Sequence, residues 1–208
     1  MALAESLPAG QVEDTAALEP EEVLRAGMYR LLAGLLSAPP SLEHLAPLAI
    51  LSGDATGLGQ AIADLARRAA GADPAAIADE YQQLFIGLGR GEVIPFASYY
   101  LTGFLQEKPL ARLRQDMEKL GIERDTGIAE PEDHIASILE MMAGLIDGSL
   151  GEQLTLSEQK ALYERHVASW APYFFRDLEV AESADFYTSV AVVGSTFMQI
   201  EDEAFMMV

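Results

Sequence analysis

Cysteine is absent from the 208-residue chain. Its absence excludes disulfides, thiolate zinc sites and cysteine nucleophiles, and fits a reducing compartment. Long apolar runs are missing too, since no stretch approaches the ~20 continuous apolar residues of a membrane span. Bases are scarce, 13 Lys and Arg against 33 Asp and Glu, for a net charge of −20. Such a chain repels a nucleic-acid backbone and an anionic lipid surface, and attracts and steers basic partners. The three histidines, His44, His134 and His166, stand on separate predicted helices without HxxxH or HExxH spacing, so no metal site is expected. No GxSxG frame surrounds a serine, which removes the hydrolase elbow. Carboxylate pairs are too common among 33 acids to single out acid/base work, so no catalytic residue is expected. The first base is Arg25, so MALAESLPAGQVEDTAALEP lacks a basic secretory n-region. Residues 1–18 read as a flexible acidic arm.

What is present has a helical period. In VLRAGMYRLLAGLL, Val23, Leu24, Met28, Leu31, Leu32, Leu35 and Leu36 recur at spacings of three and four. Pro20 suits a first turn, with Glu21 and Glu22 near the positive end of the dipole, and Ala38-Pro39-Pro40 stops the helix. Ser41 caps a second helix that Pro47 kinks or shortens. A third covers about 57–70, and Asp73-Pro74 opens a fourth through PAAIADEYQQLFIG. Residues 98–106 read as helical, PLARLRQDMEKLG follows, and 121–130 is a loop. Pro131 is expected to start PEDHIASILEMMAGLIDG, placing Glu132 and Asp133 in a first turn. Thr155 or Ser157 caps SEQKALYERHVASW, Pro172 interrupts, and DFYTSVAVVGSTFMQIEDEAF is a long last helix. No run alternates with period two. The expected fold is all-α, a single-domain bundle of about nine or ten helices over 19–208.

The stretch YQQLFIGLGRGEVIPFASYY does not fit that period. Its GLGRG segment could cradle a phosphate, which makes a guanine-nucleotide-binding protein or weak GTPase using the loop at 87–91 the alternative function. The segment lacks GxGxxG or GxxxxGK spacing and follows a helix rather than a strand. Arg90 is its one nearby cation. A flexible connector is the reading preferred for it.

Three wordings occur in order: EYQQLFIG, then PFASYY, then EPEDHIASIL. Together with YERHVASW they resemble the TorD/DmsD/NarJ family of molybdoenzyme maturation chaperones, on the TorD/DmsD side, over at least residues 80–200. The resemblance implies an all-helical cytoplasmic protein that is not an enzyme and holds no cofactor of its own. Its implied partners are the apo catalytic subunit of a molybdopterin oxidoreductase and that subunit's twin-arginine signal peptide. The chaperone would hold the subunit until its cofactor is inserted, preventing premature export, without nucleic acid or stable membrane insertion. It would be a monomer or a helix-exchanged dimer. The implied peptide-binding residues are Pro95, Phe96, Ala97, Ser98, Tyr100, Asp133 and His134, with Tyr81, Leu84 and Phe85 on the neighbouring helix. Relatives often carry Trp where this chain has Phe96, and a second proline where it has Ile94. Phenylalanine keeps the apolar face but lacks the indole N–H. Physical chemistry supports the same picture: a basic, apolar signal wants acids beside an apolar groove, and Asp133 could take an arginine in bidentate fashion.

Overall fold

The computed structural model describes residues 18–124, 127 and 130–208. Among them are ten α-helices, one π-helical turn and no strand, so the all-α expectation holds. The acidic arm expected over 1–18 falls, but for Leu18, outside the described residues, as does part of the 121–130 loop.

Helix α1 (Pro20–Ser37) opens on Pro20 with Glu21 and Glu22 in its first turn, and ends where Ala38 turns extended before Pro39. α2 (Leu42–Ala49) is capped by the Ser41 hydroxyl and kept to eight residues with Pro47 inside it. α3 (Gly57–Ala70) and α4 (Pro74–Tyr81) are capped by Thr56 and Asp73. α4 runs directly into the π-helical turn Gln82–Ile86. α5 (Ala97–Thr102), α6 (Lys108–Lys119), α7 (Ile135–Ile146), α8 (Leu156–His166), α9 (Ala171–Glu179) and α10 (Phe186–Met206) complete the order. Thr155 is the cap of α8, in a reciprocal capping box with Glu158.

Several boundaries depart from the sequence reading. α7 starts at Ile135, four residues later than Pro131 predicts, because the segment before it is used to cap other elements. α5 stops at Thr102 rather than near Gln106, since Gly103 takes the left-handed conformation that closes it. α8 ends at His166, short of Trp170, and Pro172 then starts a separate helix, α9, instead of only interrupting one. On α1, Val23 and Leu24 face outward, and the buried stripe includes Ala26, Tyr29 and Leu32.

The core is built around α7, ten of whose twelve residues are buried. It is apolar nearly all round, as a central helix should be. α1 lies along it, while α10 packs on α9 and α3, and α3 on α2. Trp170, Tyr29, Tyr163, Tyr187, Phe174 and Phe175 are fully buried. Several buried polar groups are joined in small clusters. The Arg25 guanidinium donates to both oxygens of Glu201, at 2.8 and 2.7 Å, and to Gln159 at 2.8 Å, tying α1 to α10 and α8. Asp116 accepts from Lys119 and Arg165 and meets His166, tying α6 to α8.

Candidate functional site

The EYQQLF wording is a set of joints. The Glu80 carboxylate accepts the backbone N–H groups of Asp185, Phe186 and Tyr187 at 2.9, 3.1 and 2.8 Å. It therefore satisfies the open amides at the start of α10 from another helix, where a negative charge is favoured. The Tyr81 hydroxyl donates to the carbonyls of Leu36 and Ser37 at the end of α1, at 3.3 and 3.1 Å. Its ring meets Phe85 at 4.9 Å and Tyr187 at 5.8 Å, and Phe85 meets Tyr187 edge-on at 5.4 Å. Leu84 is fully buried. Tyr81, Leu84 and Phe85 thus fasten α4 to α1 and α10, with Tyr81 and Phe85 half-buried.

PFASYY and EPEDH are brought side by side. Ala97 donates its amide to the Asp133 carbonyl at 2.9 Å, and Ile135 donates to the Pro95 carbonyl at 2.8 Å. Phe96 and His134 form an isolated antiparallel bridge. Their rings stand at 78° with centroids 5.1 Å apart. Asp133 Oδ2 accepts the Ser98 amide at 2.9 Å, so this carboxylate caps α5. Asp133 is only 1% exposed, and among the described residues its Oδ1 has no hydrogen-bond partner. The Ser98 hydroxyl accepts the Glu107 amide at 3.2 Å, joining α5 to the start of α6. The Tyr100 hydroxyl donates to Asp177 at 3.1 Å while its ring lies against Trp170 and Phe174, which fixes α5 on α9. Desolvation, and next the Asp177 charge, push the Tyr100 phenol well above its ordinary range.

His134 is the cap of α7, its Nδ1 accepting the Ala136 amide at 3.2 Å. That assigns its remaining proton to Nε2. Burial lowers its pKa to about 4, against the opposing charges of Glu130 and Asp133, so the ring is neutral near pH 7. Glu132 is turned elsewhere, to Arg114 at 2.8 Å and Arg124 at 3.2 Å. Neither acid lies in a first helical turn as predicted; both precede α7.

Of the expected site residues, Leu84, Pro95, Ala97 and Ser98 are buried, and Phe96, Tyr81, Phe85 and Tyr100 are half-buried. Glu130, the first residue of EPEDH, has no role in the sequence reading. It is exposed, and its charge acts on both the Tyr81 phenol and the His134 imidazole. Tyr81 is pushed up to about 12, first by burial and then by Glu130. Two adjoining hollows of about 490 and 330 Å³ open beside the EPEDH segment, lined in part by Glu132 and by Pro131 respectively. They share Arg114 and Arg124, and none of the expected residues lines either. Among the described residues, no three His, Asp or Glu side chains are grouped to hold a metal ion.

The 87–91 segment turns the chain back on itself, held at both ends. The Gly87 amide donates to Gln82 O at 2.7 Å, and Glu92 and Val93 donate to Gln83 O and Leu84 O at 3.3 and 2.8 Å. The carbonyls of the π-helical turn are taken up by the amides of Gly87, Glu92 and Val93, at the two ends of the glycine segment. Arg90 donates to the Tyr99 hydroxyl and lies over that ring, 5.1 Å from its centroid. The geometry supplies no phosphate cradle for the nucleotide alternative.

A family model described as nitrate reductase delta subunit matches residues 52–176. The chain belongs to this family. TorD and NarJ proteins are its members, as the motif wording led one to expect. Relatives include the chaperone protein TorD of Vibrio cholerae, 28% identical over 130 residues, or 59% of each chain. The chaperone protein TorD of Photobacterium profundum is 29% identical over 140 residues, 63% of this chain and 64% of that one. The match thus spans less than two thirds of these curated relatives. The crystal structure of a candidate redox enzyme maturation protein from Archaeoglobus fulgidus is similar in fold. Its TM-score is 0.57 at 20% identity, covering 90% of this chain and 99% of the other. Among the described residues, no helix of this family member is long and apolar enough to cross a membrane.

Proposed function

We propose that this chain is a cytoplasmic redox-enzyme maturation chaperone that binds the twin-arginine signal peptide of an apo molybdopterin oxidoreductase. It holds that subunit until the client's cofactor is in place, and so delays export. The observation that carries the reading is the acidic edge formed where the two motif segments meet. Exposed Glu130 acts by its charge on a neutral His134, whose ring meets Phe96, and the adjoining Asp133 carboxylate keeps one oxygen unpartnered among the described residues. Its likeness to the TorD chaperones of Vibrio cholerae and Photobacterium profundum supports the same role.

The chemistry is that of a guanidinium meeting carboxylates beside an aromatic face. Glu130 offers the accessible carboxylate, which an arginine can take in bidentate fashion. Asp133 adds negative potential from a site of low dielectric, where its charge is weakly screened. The neutral imidazole adds no competing positive charge. Phe96 supplies apolar surface for the residues next to the arginines, and the charge of −20 steers a basic segment toward the chain.

Calorimetric titration with a synthetic signal peptide tests this. The wild-type chain is expected to bind an Arg-Arg peptide roughly tenfold tighter than its Lys-Lys counterpart, because lysine cannot reproduce the planar fork. Glu130→Gln is expected to remove most of that preference. Equal affinity for the two peptides in the wild-type protein would count against the reading.

A further inference from the structure

Among the described helices, α6 is the one on which bases clearly outnumber acids. It carries Lys108, Arg112, Arg114 and Lys119 against Asp116 and Glu118, in a chain of net charge −20. Three of these bases are aligned. Lys108, Arg112 and Lys119 stand at i, i+4 and i+11, with Gln115 at i+7, so all four share one helix face over about 16 Å. All four are exposed, and none lines either hollow. Glu118 lies about 90° round the helix from that face, and Asp116 is buried. Asp116 draws Lys119 and Arg165 of α8 to its two oxygens, at 2.8 and 2.7 Å. Arg165 therefore stands at the far end of the stripe, and one acid is left to balance two bases.

Solvated charge is the ordinary state of an exposed helix face, but two observations set this face apart. Every other Lys or Arg meets a carboxylate or, for Arg90, the Tyr99 hydroxyl. Among the described residues, Lys108 and Arg112 have no such partner. Lys108 is also the first residue of α6, where the dipole favours an acid and disfavours a cation. The first turn holds no acid to offset it, and Glu107 before it lines the second hollow. Lys119, in the last turn, stabilises the helix, whereas Lys108 weakens it. A side chain kept against local stability points to a use outside the fold.

We infer that this face of α6 docks an acidic segment of a protein partner, with Lys108, Arg112 and the Lys119–Arg165 pair as its contacts. A nucleic acid or an anionic membrane would set an extended charge against the −20 of the whole chain. A short acidic segment confines its charge to the stripe, and a helix with acids at the same spacing meets it base by base. Exposed ion pairs are individually weak, so the face serves to orient a partner and set its register. This docking goes beyond the signal-peptide reading and uses none of its residues.

The test follows the amide signals of the isotope-labelled full chain by NMR at low salt. The probes are a synthetic helical peptide with Glu at i, i+4, i+7 and i+11, and its Gln counterpart. The Glu peptide is expected to shift the α6 amides and the Gln peptide to leave them in place. The double variant Lys108→Glu, Arg112→Glu is expected to weaken the Glu peptide roughly tenfold. Lys108→Glu alone is expected to raise the thermal midpoint by about 1–2 °C, since it places an acid where the dipole favours one. A lowered midpoint would mean that Lys108 serves the fold, and the case for docking would go with it. Docking is also overturned if the Glu peptide leaves α6 unmoved, if it binds the double variant equally well, or if the Gln peptide acts alike. Single-stranded RNA or anionic phospholipid vesicles moving the same amides at lower concentration would assign the face to another polyanion and overturn it too.

Discussion

Glu80, Glu132 and Asp133 are three carboxylates that no local pattern tells apart. Glu80 closes the amide end of α10, Glu132 pairs with Arg114 and Arg124, and Asp133 caps α5 while keeping one oxygen unpartnered. Replacing Glu80 by alanine leaves three amides without this acceptor, two of them buried. Thermal or urea denaturation should register a loss of about 2–4 kcal/mol, and Glu80→Gln, which keeps an acceptor, a smaller one. His134 predicts a pH dependence. Its pKa falls from the ordinary 6.5 to about 4 on folding, so the unfolded chain binds more protons between those values. The stability that comes with the neutral ring is complete above about pH 6.5 and is lost as pH falls toward 4. The size is on the order of 3 kcal/mol. His134→Gln should flatten that part of the stability profile when urea midpoints are compared from pH 7 to pH 4.

Helices with a strong period and a proline or hydroxyl cap are readable from the chain, and α1, α3, α6 and α10 stand close to where the pattern puts them. Elements shaped by distant partners are not. Pro131 followed by two acids looks like a helix start, but Asp133 is taken by Ser98, 35 residues away, and the helix waits until Ile135. The π-helical turn has no signature of its own, and without it the glycine segment reads as slack chain. The candidate site is readable as wording rather than as chemistry. PFASYY and EPEDH can be picked out in order, but the burial of Ala97 and Ser98 follows only once the two segments are paired. Two substitutions test the braced turn by urea denaturation. Gly87 has φ +61°, and a Cβ there would collide with the Arg90 carbonyl, whereas nothing stands near Gly89. Gly87→Ala is expected to cost at least about 2 kcal/mol and Gly89→Ala about 1 kcal/mol, the strain of a left-handed alanine alone.

The whole molecule carries its excess of acids as a field. Peptide binding should weaken severalfold as salt rises from roughly 0.05 to 0.3 M, since the Debye length shrinks over that range. Calorimetry at four salt concentrations checks it, and an affinity that ignores salt would assign binding to apolar contact alone. The same molecule fastens α1 to α10. Arg25 on α1 grips Glu201 near the end of α10, 176 positions later, and Tyr29 donates to the same carboxylate at 2.8 Å. Ribosomes deliver the chain from one end at about 5–20 residues per second. α1 must therefore stay without this partner until α10 has left the exit tunnel, and long-range closures of that kind are slow. The clasp between α1 and α10 is thus a late event, made only once both helices are free to meet.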